Sequence, residues 1–191
     1  MLPIAPLMIE HRLIERMIRL LVQEKDRLQA NMAVSPEFVF VEPRFLRDAA
    51  AFLQGYADAR HHGKEEAILF AALQEKPLSP EHRRILAQLQ AEHRWGREAT
   101  QKFAAAAQRF IDGHEAALTD ILAGLAALVN FYPAHIATED QEFFLPVMAY
   151  FAKEEQAALL ARMQAFDQEH DLAAYEKLVA DWEAHGCKCH L

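Results

Sequence analysis

The segment HHGKEEAILF, residues His61 to Phe70, places two polar side chains on the buried face of a predicted helix. Read at helical spacing with its flanks, this face is a stripe that is apolar apart from His62 and Glu66. The stripe consists of Phe52, Gly55, Ala59, His62, Glu66, Leu69 and Leu73. By the same helical angle, His61 and Glu65 are expected to face partly outward. Because an unpaired buried carboxylate is costly, we expect a cation held between His62 and Glu66, one turn apart.

The composition of the whole chain indicates one all-α domain. The 191 residues are 52% hydrophobic and include only 6 Gly and 8 Pro, which fits a single unit with a sizeable core. Ala, Leu, Glu, Gln and Arg dominate, and runs of β-branched residues are absent. A fold built from helices alone is therefore predicted.

The charge and the apolar runs narrow the expected partners and location. A net charge of -8 argues against a phosphate-binding surface, so we expect no nucleic-acid partner. The apolar run from Ile121 to Val129 is far shorter than the roughly 20 residues that span a bilayer. The N-terminus shows no basic segment ahead of an apolar core, as a signal peptide would have. We therefore expect a cytoplasmic protein with no membrane partner.

Prolines and a glycine divide the chain into helices. The breaks fall at Ser35-Pro36, Pro43, Pro77, Ser79-Pro80 and Gly113. The predicted helices run from about Leu7 to Met32, Arg44 to Gln74, Pro80 to Ile111, Glu115 to Pro146 with a kink at Pro133, and Lys153 to His185. We predict an up-down-up-down four-helix bundle over residues 1–152. Residues 153–191 are predicted to form an additional C-terminal helix and a Cys/His tail packed on the same domain.

Each of the four bundle helices presents one histidine on its apolar stripe: His11, His62, His93 and His135. Their axial levels agree in an up-down-up-down arrangement. For example, His93 lies 20 residues before Gly113 and His135 lies 22 residues after it. That difference is within one helical turn, about 5 Å, so the four side chains are predicted to converge.

Two of these histidines are followed four residues later by a glutamate, which gives the pairs His62/Glu66 and His135/Glu139. Four imidazoles and two carboxylates without a thiolate favour iron or manganese, with zinc as an alternative, whereas calcium and magnesium require more oxygen ligands. We predict two metal ions bridged by Glu66 and Glu139, with open positions for a small ligand.

The segments HHGKEEAILF, AEHRWGRE and HIATEDQEFFLP, together with His11 in MIEHRLIERM, resemble the hemerythrin-like, HHE cation-binding domain over residues 8–150. This resemblance implies a four-helix bundle with a non-haem di-iron centre. The ligands it implies are His11, His62, Glu66, His93, His135 and Glu139.

One part of the pattern departs from the oxygen-carrying hemerythrins. Those proteins carry a second histidine one turn after the one on the third helix, where this sequence has Arg97, and an aspartate at the position of Asp140, next to Glu139. The set of four histidines and two glutamates is more similar to bacterial hemerythrin-like proteins linked to nitric oxide, iron handling or stress repair.

Several polar residues remain outside this set. We interpret Glu65 and Asp140 as outer partners of the ligands or as surface groups. His82 is expected to cap a helix or face solvent, and His114 to lie in a turn. His170 is a spare inward-facing histidine. The tail from His185 to His190 contains Cys187 and Cys189, which are too close together to cross-link the fold. A site for a soft ion such as zinc or copper(I) is the alternative, and we favour a tail without a specific role.

The sequence therefore supports three functions. The first is a di-iron protein that binds or reduces a small diatomic ligand, oxygen or nitric oxide, in redox or nitrosative stress or iron handling. The second is a metal-dependent sensor or storage module without turnover. The third is a bundle that holds a single structural zinc ion. Metal analysis separates the last from the others.

Overall fold

The predicted all-α bundle is confirmed by the computed structural model, which describes residues 1–35, 39–168 and 172–185. Within these ranges the chain forms six helices and no strand. They are α1 (Ala5–Val34), α2 (43–74), α3 (Pro80–Ile111), α4 (118–147), α5 (Lys153–Asp167) and α6 (Leu172–His185).

The helix ends follow local capping chemistry. Ser79 precedes α3, and its hydroxyl accepts a hydrogen bond from the His82 backbone N–H at 3.1 Å. Pro80 occupies the first helical position, where its missing N–H leaves no hydrogen bond unmade. Gly113 follows α3 with φ of 93°, a left-handed conformation that glycine adopts without a Cβ clash. The predicted breaks at these positions are therefore confirmed.

Two of the bundle helices contain π-helical turns. In α2 these are Leu53–His62 and Glu65–Phe70, and in α4 the π-helical turn is Thr138–Phe143. A π-helical turn hydrogen-bonds residue i to residue i+5, so it changes which side chains share a face relative to the usual α-helical spacing. These segments contain the predicted ligands His62, Glu66 and Glu139, so they affect which side chains of α2 and α4 face inward.

Two hydrophobic clusters fill the bundle on either side of a buried polar layer. One cluster includes Leu21, Phe52, Phe103 and Leu125, and the other includes Leu7, Leu69, Leu86, Phe143 and Met163. The polar layer between them receives side chains from α1, α2, α3 and α4. A ligand in this layer would be surrounded by apolar residues above and below.

The C-terminal region differs from the prediction of a single helix from Lys153 to His185. The structure describes two helices, and α5 ends at Asp167. α5 packs against the segment Glu65–Phe70 of α2, whereas α6 packs against α1 and the first turns of α2. The two helices therefore pack on different parts of the bundle.

The helical stretch Glu115–Tyr150 is the only one in the described part of the chain that could cross a membrane by length and composition. A core helix of a bundle passes the same test. This stretch carries the buried polar residues His135 and Glu139 and contacts α1 and α3.

Candidate metal centre

Seven buried polar residues meet in the layer between the two hydrophobic clusters. They are His11 from α1, His61, His62 and Glu65 from α2, His93 from α3, and His135 and Glu139 from α4. Their donor atoms form two groups, within each of which the atoms lie within 4.8 Å of one another. The first group is His62, His93 and His135, and the second is His11, His61, Glu65 and Glu139.

Two carboxylates lie between the groups and face both of them. Glu65 places Oε1 at 3.4 Å from His61 Nε2 and Oε2 at 3.1 Å from His93 Nε2. Glu139 places Oε2 at 3.1 Å from His11 Nε2 and Oε1 at 3.3 Å from His135 Nε2. Each carboxylate therefore has one oxygen toward each group, which is the arrangement that lets a carboxylate bridge two ions.

The atoms that face the centre have no hydrogen-bond partner. This holds for the Nε2 atoms of all five histidines and for both oxygens of Glu65 and of Glu139. Leaving so many buried polar atoms unsatisfied would cost several kcal/mol, because each loses water without gaining a partner. Imidazole nitrogens and carboxylate oxygens are all metal ligands, so the donor set fits bound cations.

Behind four of the histidines, a carboxylate binds the other ring nitrogen. The pairs are His11 with Asp140 at 2.8 Å, His61 with Glu10 at 3.0 Å, His93 with Glu66 at 2.8 Å, and His135 with Glu92 at 2.8 Å. In each pair Nδ1–H can donate to the carboxylate, so that once Nε2 has lost its proton its lone pair is directed at the centre. This tautomer is the one that binds metal ions, and such outer carboxylates also fix the ring orientation.

Arg97 connects two outer carboxylates on the side of the three-histidine group. Its guanidinium donates to Asp58 and to Glu66, each at 2.9 Å. Glu66 in turn binds His93, and Asp58 lies 3.7 Å from His62 Nδ1. Arg97, which replaces the second histidine of the oxygen-carrying hemerythrins, therefore helps to hold the carboxylates behind the three-histidine group in place.

Without a cation, the centre balances its buried negative charge with protons. Burial by itself lowers the pKa of His11, but the carboxylates of Asp140 and Glu139 outweigh it and raise the pKa to about 10. For His93, the surrounding carboxylates outweigh burial in the same way and raise the pKa to about 11. Both imidazoles are therefore protonated in the metal-free protein at neutral pH.

Other groups of the centre have pKa values shifted in both directions. Burial, followed by the charge of His93, lowers the pKa of His62 to about 3. Burial, followed by the charge of Glu139, raises the pKa of Glu65 to about 7. The pKa of Glu139 lies well below its usual value because neighbouring imidazoles outweigh burial. A bound cation would take over the role of the protons held by His11 and His93.

The structure brings five of the six predicted ligands together: His11, His62, His93, His135 and Glu139. The expected orientation of Glu66 is wrong. Its side chain is 35% exposed and lies outside the centre, where it binds His93 and Arg97. Glu65, which was expected to face partly outward, is fully buried at 0% exposure.

His61 and Glu65 are not predicted as ligands at 3.6 residues per turn, because that spacing turns them away from the apolar stripe. The π-helical turns on either side of Gly63 bring His61, His62 and Glu65 to the same side of α2. A signal was present, since His61 and Glu65 are also four residues apart and form a second pair parallel to His62 and Glu66. The apolar stripe at 3.6 residues per turn nevertheless favoured His62 and Glu66.

The remaining candidates lie elsewhere. Asp140 is an outer partner of His11, His82 binds the Tyr150 hydroxyl at 2.8 Å, and His114 is exposed. His170, Cys187 and Cys189 lie outside the described residues, as does the rest of the tail from Gly186 onward.

The fold and the centre together define a helical-bundle metal-binding protein whose donors come from four helices. The family model described as Hemerythrin HHE cation binding domain matches residues 2–146, and the chain belongs to this family. Comparison with curated proteins and with solved structures gave no match.

Proposed function

We propose that this chain binds two iron ions, one at each donor group, and that the pair binds a small diatomic ligand, oxygen or nitric oxide. The observation that carries the proposal is the placement of Glu65 and Glu139, each with one oxygen toward each group. A single ion would leave one of these oxygens and the opposite histidines unsatisfied in the core.

The donors divide unevenly between the two groups. Three imidazoles belong to one group and two to the other, while Glu65 and Glu139 each direct one oxygen toward each group. The group with His11 and His61 therefore has one fewer imidazole, and we expect a small ligand to bind on that side. Imidazole and carboxylate donors suit iron, with manganese or zinc as alternatives. Bound iron would supply the electron transfer and ligand coordination that no side chain provides.

The protein's own contribution is to orient the donors and keep water out. Phe144 stacks on the ring of His11 with centroids 5.7 Å apart, and Phe70 stacks on His93 at 5.4 Å. The ring of Tyr132 is buried, and its centroid lies 6.5 Å from the centroid of the His62 ring. These rings leave room only for small ligands to reach the centre. They also lower the local dielectric constant, which strengthens the electrostatic effect of Glu65 and Glu139.

The test is metal quantification combined with optical spectra of the iron-loaded protein in the absence of oxygen, after air, and after nitric oxide. Two irons per chain and ligand-dependent absorption bands are expected. A colourless protein with less than one iron per chain after aerobic reconstitution would contradict the proposal. One colourless ion per chain would instead select the structural zinc alternative.

The sensor or storage alternative differs in turnover. It would be favoured by a ligand-dependent change in oligomeric state without consumption of oxygen, peroxide or nitric oxide. A role in redox or nitrosative stress or in iron handling, and a cytoplasmic location without nucleic-acid or membrane partners, are parts of the same proposal. The net charge of -8 supports the absence of nucleic acid, and cell fractionation tests the location.

A further inference from the structure

Four charged side chains form a buried ion cluster next to the metal centre: Glu10, Arg60, Lys64 and Asp167. The side chain of Lys64 is 0% exposed and that of Arg60 only 3%, so both cations are removed from water. Buried cations are costly unless carboxylates balance them. Two carboxylates do so here, and Asp167 is the more accessible at 26% exposure.

The contacts of this cluster connect Asp167 of α5 with His61 of the metal centre. Lys64 Nζ binds Glu10 Oε1 at 2.5 Å and also binds Asp167. Arg60 donates to Asp167 at 2.7 Å and lies 3.3 Å from Glu10 Oε1. The other oxygen of Glu10 accepts the Nδ1–H of His61 at 3.0 Å. Glu10 is therefore shared between His61 and the two cations.

Asp167 is the last residue of α5, and α5 lies beyond residues 2–146, which match the family. The helix is held in place by apolar contacts, since Leu159 and Met163 are buried in the same cluster as Leu69. Arg162 also donates to the carbonyl oxygen of Ala67 at 3.2 Å. The position of Asp167 is thus set by contacts that do not depend on its charge.

We propose that Asp167 is a positioning residue for the metal centre, through which the C-terminal helix supports the His61 side of the ion pair. This inference rests on the two-ion site proposed above. The negative charge of Asp167 balances one of the two buried cations, so that Glu10 keeps one oxygen on His61. Without that charge, Lys64 and Arg60 share a single carboxylate, and their attraction draws Glu10 away from His61.

Loss of this charge has a defined consequence for the ion held on the His61 side. An imidazole whose Nδ1–H loses its carboxylate is a weaker ligand, and the added net positive charge repels a cation. Loss of a direct outer partner typically weakens metal affinity by about 10–100-fold. Since Asp167 acts through Glu10, we expect about 10-fold faster release of one ion, with the other ion unaffected.

The experiment uses the full-length, iron-loaded protein and its Asp167→Asn and Asp167→Glu variants. The matched control is Glu155→Gln, because Glu155 also lies on α5 and pairs with Lys76 at 2.6 Å, but is 47% exposed and away from the centre. The readouts are iron per chain, the rates of iron release to a chelator, the midpoint potential, and the melting temperature of the metal-free protein.

In Asp167→Asn we expect one of two release phases to accelerate and the midpoint potential to rise. Asp167→Glu and Glu155→Gln should match the wild type. Asp167→Asn combined with Lys64→Met restores the charge balance, so it should recover slow release. If the single variant folds poorly, the double variant still tests whether the charge balance of the cluster sets the rate of iron release.

Unchanged release and potential in Asp167→Asn, with only a lower melting temperature, would overturn the inference while leaving the proposed function intact. The same holds if the combination with Lys64→Met fails to recover slow release. Wild-type protein that holds fewer than two ions would overturn both proposals.

Discussion

Replacement of Glu65 by glutamine tests whether Glu65 or Glu66 is the carboxylate of α2 that faces the metal centre. Glu66→Gln is the matched variant. Glutamine has the shape of glutamate but only one oxygen, so at position 65 it cannot serve both donor groups. We expect Glu65→Gln to hold fewer than two ions per chain. Glu66→Gln should keep both ions, because the amide oxygen still accepts from His93, with affinity reduced by about 10–100-fold.

The same substitution should have the opposite effect on the metal-free protein. The pKa of Glu65 is raised from 4.5 to about 7, first by burial and then by Glu139. At 1.36 kcal/mol per pKa unit, the ionised side chain costs the fold about 3 kcal/mol. Because the folded-state pKa is the higher one, this cost grows as the pH rises from 4.5 and is complete above 7.

Glutamine carries no charge, so Glu65→Gln should remove this cost. The metal-free variant is expected to be more stable than the wild type by about 3 kcal/mol at pH 8. For a chain of this size, that corresponds to roughly 6–12 °C in Tm. At pH 5 the difference should shrink to about 1 kcal/mol, since Glu65 is then protonated in the folded wild type but partly ionised in the unfolded chain.

The assay is thermal unfolding at pH 5 and pH 8 after chelation, together with iron quantification and affinity measurement for both variants. The orientation of α2 would be refuted if Glu65→Gln retained two ions with wild-type affinity while Glu66→Gln lost the pair. A lower Tm of metal-free Glu65→Gln at pH 8 would show that the ionised Glu65 side chain does not destabilise the fold.

Three further predictions follow from single features of the structure. His61→Ala should lose one ion and keep the other, because the three-histidine group remains complete, as iron quantification will show. Iron binding at pH 7.5 should release about two protons, because the pKa values of His11 and His93 are about 10 and 11 in the metal-free protein; calorimetry in buffers of different ionisation enthalpy measures this. Gly55→Ala should lower stability by about 1–3 kcal/mol, since the new Cβ would lie 2.1 Å from the Tyr175 hydroxyl oxygen, and melting curves will measure the loss.

The control for His61→Ala is His114→Ala, because His114 is exposed in the turn after α3 and should not affect metal content. Two ions in His61→Ala would remove His61 from the centre. Iron binding without proton release would contradict the protonation of the metal-free centre. An unchanged Tm in Gly55→Ala would mean that Tyr175 can move aside without cost.

The order and approximate bounds of the bundle helices were predictable because the signals are local. Ser79 and Pro80 start a helix through their own backbone chemistry, and Gly113 ends one because it tolerates positive φ. The inward position of His93 and His135 was predictable for a related reason. Their helices keep α-helical spacing up to these residues, so apolar periodicity gives the buried face.

The choice between adjacent residues was not predictable in the same way. The spacing of His61 from Glu65 equals that of His62 from Glu66, and only the apolar stripe at 3.6 residues per turn favours the second pair. The π-helical turns of α2, where Glu65 is buried and Glu66 is partly exposed, depart from the 3.6-residue periodicity on which the prediction was based.

The sequence by itself determined a helical bundle with histidines directed at one level, because prolines, caps and apolar spacing act over a few residues. Only the tertiary structure decided that Glu65 lies between the donor groups and that Asp167 joins Glu10 through Lys64. These contacts join residues far apart in the chain. They depend on how the helices pack against one another, and this packing is not encoded in any short segment of the sequence.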